Sequence, residues 1–170
     1  ESTLRAANGA VDAVARHEFD YILRDLANGV PVTECKGVSY MDGDVYKENP
    51  DMPYIEDLDE LPFPAWHHLD MNDYIDGAKL FPFVTAITGR GCRYRCSYCQ
   101  IPQVMNGHRY RTHSVKRVVD EMEHAKKIIP GLREVMFEDD TLTMRIARDR
   151  LVELCEEIIR RDLKLSWSAN

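Results

Sequence analysis

No stretch of this 170-residue chain approaches the roughly 18 consecutive apolar residues of a membrane-spanning helix, and none resembles a signal peptide. The chain reads as cytoplasmic on that basis. Cysteine is scarce: there are five, an odd number, in a chain without an export signal. That argues against a disulfide framework and for thiols or metal ligands in a reducing compartment. Positive charge is also short, with 22 Lys and Arg against 29 Asp and Glu and a net charge of −7. Residues 1–80 carry 17 acids and 6 bases, residues 81–170 carry 12 acids and 16 bases, and neither part is basic enough to make nucleic acid the expected partner. Internal repeats and low-complexity tracts are absent. What remains is 44% apolar residues, enough for a core in a chain of one-domain size.

Three regions follow from the patterning. Residues 1–30 alternate helix, strand and helix, with Phe19, Ile22, Leu23 and Leu26 at helical intervals before Gly29 and Pro31. Too little is present to close a sheet, so this segment is expected to be the tail of a Rossmann-like, doubly wound domain. Residues 31–80 read as a linker. "GVSYMDGDVYKENP" predicts a hairpin about Asp42-Gly43, and an acidic run with Pro53, Pro62 and Pro64 interleaves Leu58, Leu61, Phe63 and Trp66. Those apolar side chains are expected to pin the linker to a neighbouring surface.

From Phe81 the pattern becomes β-α-β-α-β. "FPFVTAITGRG" predicts a strand buried on both faces, and "HSVKRVVDEMEHAKKIIPG" an amphipathic helix capped by Ser114 with Val115, Val118, Val119, Met122 and Ala125 inward. "LREVMFEDD" is a second strand. "RIARDRLVELCEEIIRR" is a second helix with Leu151, Leu154, Cys155 and Ile158 inward, and "LKLSWSAN" is a third strand. The fold class is α/β, with about three parallel strands and two helices in a barrel or open sheet.

Three cysteines, Cys92, Cys96 and Cys99, fall within the loop "GCRYRCSYCQ" at the end of the first of these strands, where α/β folds place their chemistry. Three thiolates can hold a four-iron cluster and leave one iron open to a substrate. Zinc completed by His108 or His113 is a second reading, as part of a non-catalytic zinc-stabilised module, and a metal-free loop is a third. Cys155 falls on a helix stripe and reads as core, Cys35 has no assigned partner, and the His67-His68 pair reads as exposed linker.

The stretch "CRYRCSYC" resembles the C-x3-C-x-aromatic-C signature of the radical S-adenosylmethionine (SAM) superfamily. With "IEDLDELPFPAWHHLD", "RYRTHSVKRVVDEM" and "FEDDT" in the same order, the chain looks like a piece of the subfamily with an N-terminal cobalamin-binding domain. That subfamily includes radical methyltransferases, the anaerobic magnesium-protoporphyrin ester cyclase and hopanoid-tailoring enzymes. The resemblance implies that residues 81–170 are the first half of a partial (β/α)6 barrel and residues 1–30 the end of the cobalamin domain. It implies a [4Fe-4S] cluster on Cys92, Cys96 and Cys99, SAM on the open iron, an electron donor such as flavodoxin or ferredoxin, and a small-molecule or lipid-like substrate. A tRNA methylthiotransferase-like radical SAM enzyme is the alternative within the superfamily.

The same resemblance places Tyr98 near the adenine and Glu138, Asp139 and Asp140 near the SAM amino group, with Asp139 and Asp140 as the preferred pair. Capping or binding of backbone amides is the competing role for these acids. Ser168 and Asn170 would reach the ribose or carboxylate, and Arg111 is singled out from Arg90, Arg93, Arg95, Arg109 and Arg111 as the cofactor contact. Gly89 and Gly91 are read as turn or close-approach residues. No D-x-H-x-x-G run stands in the chain, so cobalamin is expected of the parent protein only, and His17 receives no ligand role.

Overall fold

The computed structural model describes residues 1–143 and 145–169, with Ile146 described in its backbone only. Two compact units divide the chain: Glu1–Glu56 with Arg93–His108, and Asp57–Cys92 with Arg109–Asn170.

The first unit begins with α1 (Ser2–Ala7), which stops where Asn8 turns left-handed, then β1 (Ala13–Ala15) and α2 (Asp20–Ala27). β2 (Val38–Asp42) and β3 (Val45–Glu48) form the hairpin, and β1 pairs antiparallel with β2, giving the order β1-β2-β3. Asp42 pairs with Val45, so the turn residues are Gly43-Asp44, one position later than the sequence suggests. Gly43 at φ +59 supplies the positive φ that a type II′ turn needs at its first central position. Ile22, Cys35 and Val38 make the small core, with Leu26, Val30 and Met52 packed against it. Phe19 and Leu23 stay exposed, so α2 buries a narrower stripe than its composition offers. Arg16 clasps the end of β1 to the hairpin. Its guanidinium donates to the Val38 carbonyl at 3.0 Å, the Ser39 hydroxyl at 2.7 Å and the Asp51 carboxylate at 2.7 Å.

In the second unit the acidic connector forms three short turns, Leu58–Glu60, Trp66–His68 and Met71–Asp73, because the prolines between the first two block a continuous helix. It is pinned as expected: Leu58 and Trp66 are buried, and Phe63 stacks on His124 at 4.9 Å with the Arg117 guanidinium 3.8 Å from its ring centroid. Arg117 also donates to the Leu61 carbonyl at 3.0 Å.

The long apolar run then splits into β4 (Phe83–Ala86) and β5 (Gly89–Arg90), and β5 pairs antiparallel with β6 (Arg111–Thr112). β4 is covered on one face only, since Val84 and Ala86 are buried while Thr85 is exposed. α3 (Val115–Ile128) starts at Ser114, whose hydroxyl accepts the Arg117 amide at 3.1 Å, and buries all five predicted stripe residues. β7 (Glu134–Phe137), α4 (Arg148–Arg161) and β8 (Ser166–Ala169) follow. β4 pairs parallel with β7 and β7 with β8, in the order β4-β7-β8. Val84, Val135 and Phe137 meet Val119, Met122, Leu154 and Ile158 in one core between sheet and helices. Cys155 stands beside this core half-buried, and Cys35 is the one buried in a core. Among the described residues no helix is long and apolar enough to cross a membrane.

Candidate metal centre and the acids beside it

The β7 strand ends in Phe137, and the next four residues, Glu138-Asp139-Asp140-Thr141, all take up positions at its C-terminal end. The pleat separates the first two. Asp139 is turned into the protein, where its carboxylate accepts the Thr88 amide at 2.5 Å and the Thr88 hydroxyl at 2.6 Å. Its neighbour Glu138 points outward, exposed, while its own amide donates to the Ala86 carbonyl at 2.9 Å. Asp140 accepts the Gly91 amide at 3.0 Å, and Thr141 Oγ1 lies 3.3 Å from Cys92 Sγ. The acids after β7 therefore grip the backbone that leads into Cys92.

Three contacts from one arginine complete this grip. Arg150 reaches from α4 to donate to the Thr88 carbonyl at 2.9 Å, the His113 carbonyl at 3.0 Å and the Thr88 hydroxyl at 3.2 Å. Burial pushes the Asp139 carboxyl above its ordinary range, opposed by the Thr88 hydrogen bonds, the Arg150 charge and the Gly89 amide. Burial likewise pushes Tyr110 up, helped by the Asp139 charge. Gly89 is required here by close approach: a Cβ would sit 3.0 Å from the Tyr110 ring and from the Arg111 carbonyl. Tyr110 Oη and Arg150 Nε are buried without a hydrogen-bond partner among the described residues.

The other sequence-derived residues go to different places. Ser168 donates to Glu134 at 2.5 Å and accepts from Lys79 Nζ at 3.1 Å, and Glu134 also accepts the Leu80 amide at 2.7 Å. The Ser168 hydrogen bond and the Leu80 amide hold the Glu134 carboxyl below its usual range, against its burial. Arg111 is buried in β6 opposite Arg90. Tyr98, in the first unit, is 90% exposed. Asn170 lies outside the described residues.

Of the cysteines, Cys92 closes one segment of the second unit, and Cys96 and Cys99 belong to the first. Cys96 and Cys99 share a turn, the Cys99 amide donating to the Cys96 carbonyl at 3.1 Å. No cysteine is in a disulfide, and Cys96 is exposed. Among the described residues no three His, Cys, Asp or Glu side chains are gathered as ligands of one ion. The donor chemistry fits an iron–sulfur group: three thiols within eight residues, one of them exposed.

The radical SAM superfamily model matches residues 86–170, half of the chain, covering β5 to β8 and all three cysteines. The chain belongs to the radical SAM superfamily. It is 32% identical over 167 residues to an uncharacterized methyltransferase of Pyrococcus horikoshii, covering 94% of this chain and 34% of that protein. It is 32% identical over 170 residues to the anaerobic magnesium-protoporphyrin IX monomethyl ester cyclase of Rubrivivax gelatinosus, covering 94% of this chain and 29% of that one. The chain thus spans about a third of the length of these curated relatives. In structure it resembles the cobalamin-dependent SAM radical enzyme OxsB with aqua-cobalamin bound, at TM-score 0.72 and 23% identity over 98% of this chain and 24% of OxsB. The radical SAM methyltransferase TsrM from Kitasatospora setae, with tryptophan and a SAM analogue bound, matches at TM-score 0.61 and 21% identity over 94% of this chain and 31% of TsrM. These likenesses show the fold, a mixed α/β arrangement with a parallel sheet.

Thr88, Thr141 and Arg150 were not singled out by the sequence of this radical SAM chain. Arg150 had a signal: it stands in register with Leu154, Ile158 and Arg161, so the helix face that carries the core also carries a guanidinium inward. Threonines in a loop have no comparable mark.

Proposed function

We propose that this chain is the part of a radical SAM enzyme in which Cys92, Cys96 and Cys99 hold a [4Fe-4S] cluster by three of its irons. The observation that carries the reading is the all-thiol C-x3-C-x2-C set following the first strand of the parallel sheet, in a chain of this superfamily. When bound, such a cluster supplies one electron to SAM held at its open iron, cleaving the sulfonium to methionine and a 5′-deoxyadenosyl radical.

The chain's own residues orient and aim. Asp139 and Asp140 hold the Thr88 and Gly91 backbone and so set the direction in which Cys92 enters the loop. Glu138, exposed at the end of β7, stands with Asp139 and Asp140 as a carboxylate that can accept a charge-assisted hydrogen bond from the SAM ammonium, and of the three it is the one most open to solvent. Tyr98 offers an exposed ring to the adenine, whereas Arg111, buried in β6, is retained as a cofactor contact on the superfamily resemblance alone. Ser168, engaged with Glu134 and Lys79, shapes the sheet face, and its ribose contact would require exchange of the Lys79 hydrogen bond.

In this reading residues 81–170 are the first half of a (β/α)6 barrel, 31–80 a linker, and 1–30 the end of a Rossmann-like cobalamin-binding domain. The intact protein would use cobalamin and modify an unactivated carbon of a hydrophobic or natural-product-like substrate. The names of its relatives, methyltransferase and ester cyclase, support that class of reaction. The test is reductive cleavage of SAM by the intact protein under anaerobic conditions. It is expected to yield 5′-deoxyadenosine, with the product lost in Cys96→Ala; a wild-type protein that carries iron and yields none would refute the assignment.

A further inference from the structure

Thr141 follows the three acids after β7, and its hydroxyl lies against the Cys92 sulfur. We infer that Thr141 is a positioning residue that donates a hydrogen bond to the Cys92 sulfur when that sulfur is bound to iron, and thereby raises the reduction potential of the cluster. The inference rests on the reading of Cys92 as a cluster ligand and extends it to a residue outside the cysteine signature.

The geometry is specific. Thr141 Oγ1 is 3.3 Å from Cys92 Sγ, within the reach of an O–H···S hydrogen bond, and donates at 2.5 Å to the Asp140 carbonyl. A threonine hydroxyl has one proton and two lone pairs, whereas a sulfur bound to iron carries no proton. In the iron-bound state the Thr141 proton is therefore the only hydrogen shared between these two atoms. Rotation about the Cβ–Oγ1 bond takes that proton from the Asp140 carbonyl to the sulfur without moving a heavy atom.

The neighbouring contacts hold the pair in register. The Asp140 side chain accepts the Gly91 amide at 3.0 Å, and Asp139 holds Thr88 at 2.5 and 2.6 Å. Three consecutive residues, 139 to 141, thus grip positions 88, 91 and 92. The last of these grips is the one made to sulfur. Hydrogen bonds to cluster sulfurs favour the reduced, more negative state, so removing one makes the cluster harder to reduce.

The experiment compares wild type, Thr141→Val and Thr141→Ser in the intact protein after anaerobic iron–sulfide reconstitution, with iron content and midpoint potential measured on each. Valine keeps the shape and removes the proton; serine keeps the proton. The expected result is about four irons per chain in all three, a midpoint shifted to more negative potential in Thr141→Val, and a wild-type midpoint in Thr141→Ser. A fully loaded Thr141→Val with the wild-type midpoint overturns the inference while leaving the cluster reading intact. Loss of iron from Thr141→Val with retention in Thr141→Ser also overturns it, since Thr141 would then build the loop and not tune the cluster. A wild type that takes up no iron removes the cluster reading itself, and the inference with it.

Discussion

Replacing Asp139 separates a structural carboxylate from a substrate-binding one. Its oxygens accept the Thr88 amide and hydroxyl at 2.5 and 2.6 Å, and Arg150 lies against the same threonine. In Asp139→Asn the amide oxygen can still accept one donor, but the Thr88 hydroxyl proton loses its acceptor and Arg150 loses a nearby negative charge. A hydrogen bond to a charged group contributes about 1.5–3 kcal/mol, and a buried donor left unsatisfied costs about 1–3 kcal/mol. Burial of Asp139 penalises its charged form, which offsets part of that loss. The net destabilisation should be about 2 kcal/mol, or on the order of 8 °C in melting temperature for a unit of this size. Thermal unfolding followed by circular dichroism measures it. The contrasting variant is Glu138→Gln, which, on the proposal that Glu138 meets the SAM ammonium, should weaken SAM binding by roughly tenfold in equilibrium dialysis of the reconstituted intact protein. Melting within 1 °C of wild type for both Asp139→Asn and Asp139→Ala would refute the assignment of Asp139 to the loop.

The connector and the histidine that meets its Asp59 yield two more expectations. Leu58→Ala should destabilise by about 2–4 kcal/mol because Leu58 is fully buried, whereas Ile75→Ala, at an exposed position, should not; urea unfolding of both reports the difference. Burial pushes the His113 imidazole below its ordinary range, although Asp59 at 3.1 Å supports its charged form and Arg117 and Arg90 oppose it. A folded-state value depressed below the unfolded one gives stability that is present above about pH 6.5 and lost as pH falls through the lowered value. Melting temperature should therefore drop on going from pH 7 to pH 5, and His113→Gln should flatten that slope; an equal slope in the variant would count against it. Asp59 itself is held below its usual range by the Ser114 and His113 hydrogen bonds despite burial, so its loss belongs to a lower pH window.

Much of the second unit could be read in the residues because period and caps agree there. The α3 stripe from Val115 to Ala125, the Ser114 cap and the succession of strand, helix, strand, helix and strand depend on local spacing, which sequence displays directly. Strand limits were less legible. The run from Phe81 to Gly91 reads as one strand, yet Gly89 and Arg90 leave the parallel sheet to pair with Arg111 and Thr112, a partner choice set by tertiary contact. The pairing of β1 with the hairpin has the same origin.

For the site, the cysteine signature was visible because its spacing is the chemistry. The division of labour among Glu138, Asp139 and Asp140 was not. Three adjacent acids look alike in a sequence, and which one faces Thr88, which Gly91 and which solvent depends on the pleat at the end of β7. The same holds for Ser168, whose hydroxyl meets Glu134 across the β7–β8 ladder.

The central claim is that three thiols hold an iron–sulfur cube with one iron open to SAM. Electron paramagnetic resonance of the anaerobically reconstituted, dithionite-reduced intact protein, recorded with and without SAM alongside metal analysis, tests it most directly. The account predicts about four irons per chain and a reduced-cluster signal that shifts when SAM is added. One tightly bound zinc without iron, or a four-iron signal that SAM leaves unchanged, would contradict it.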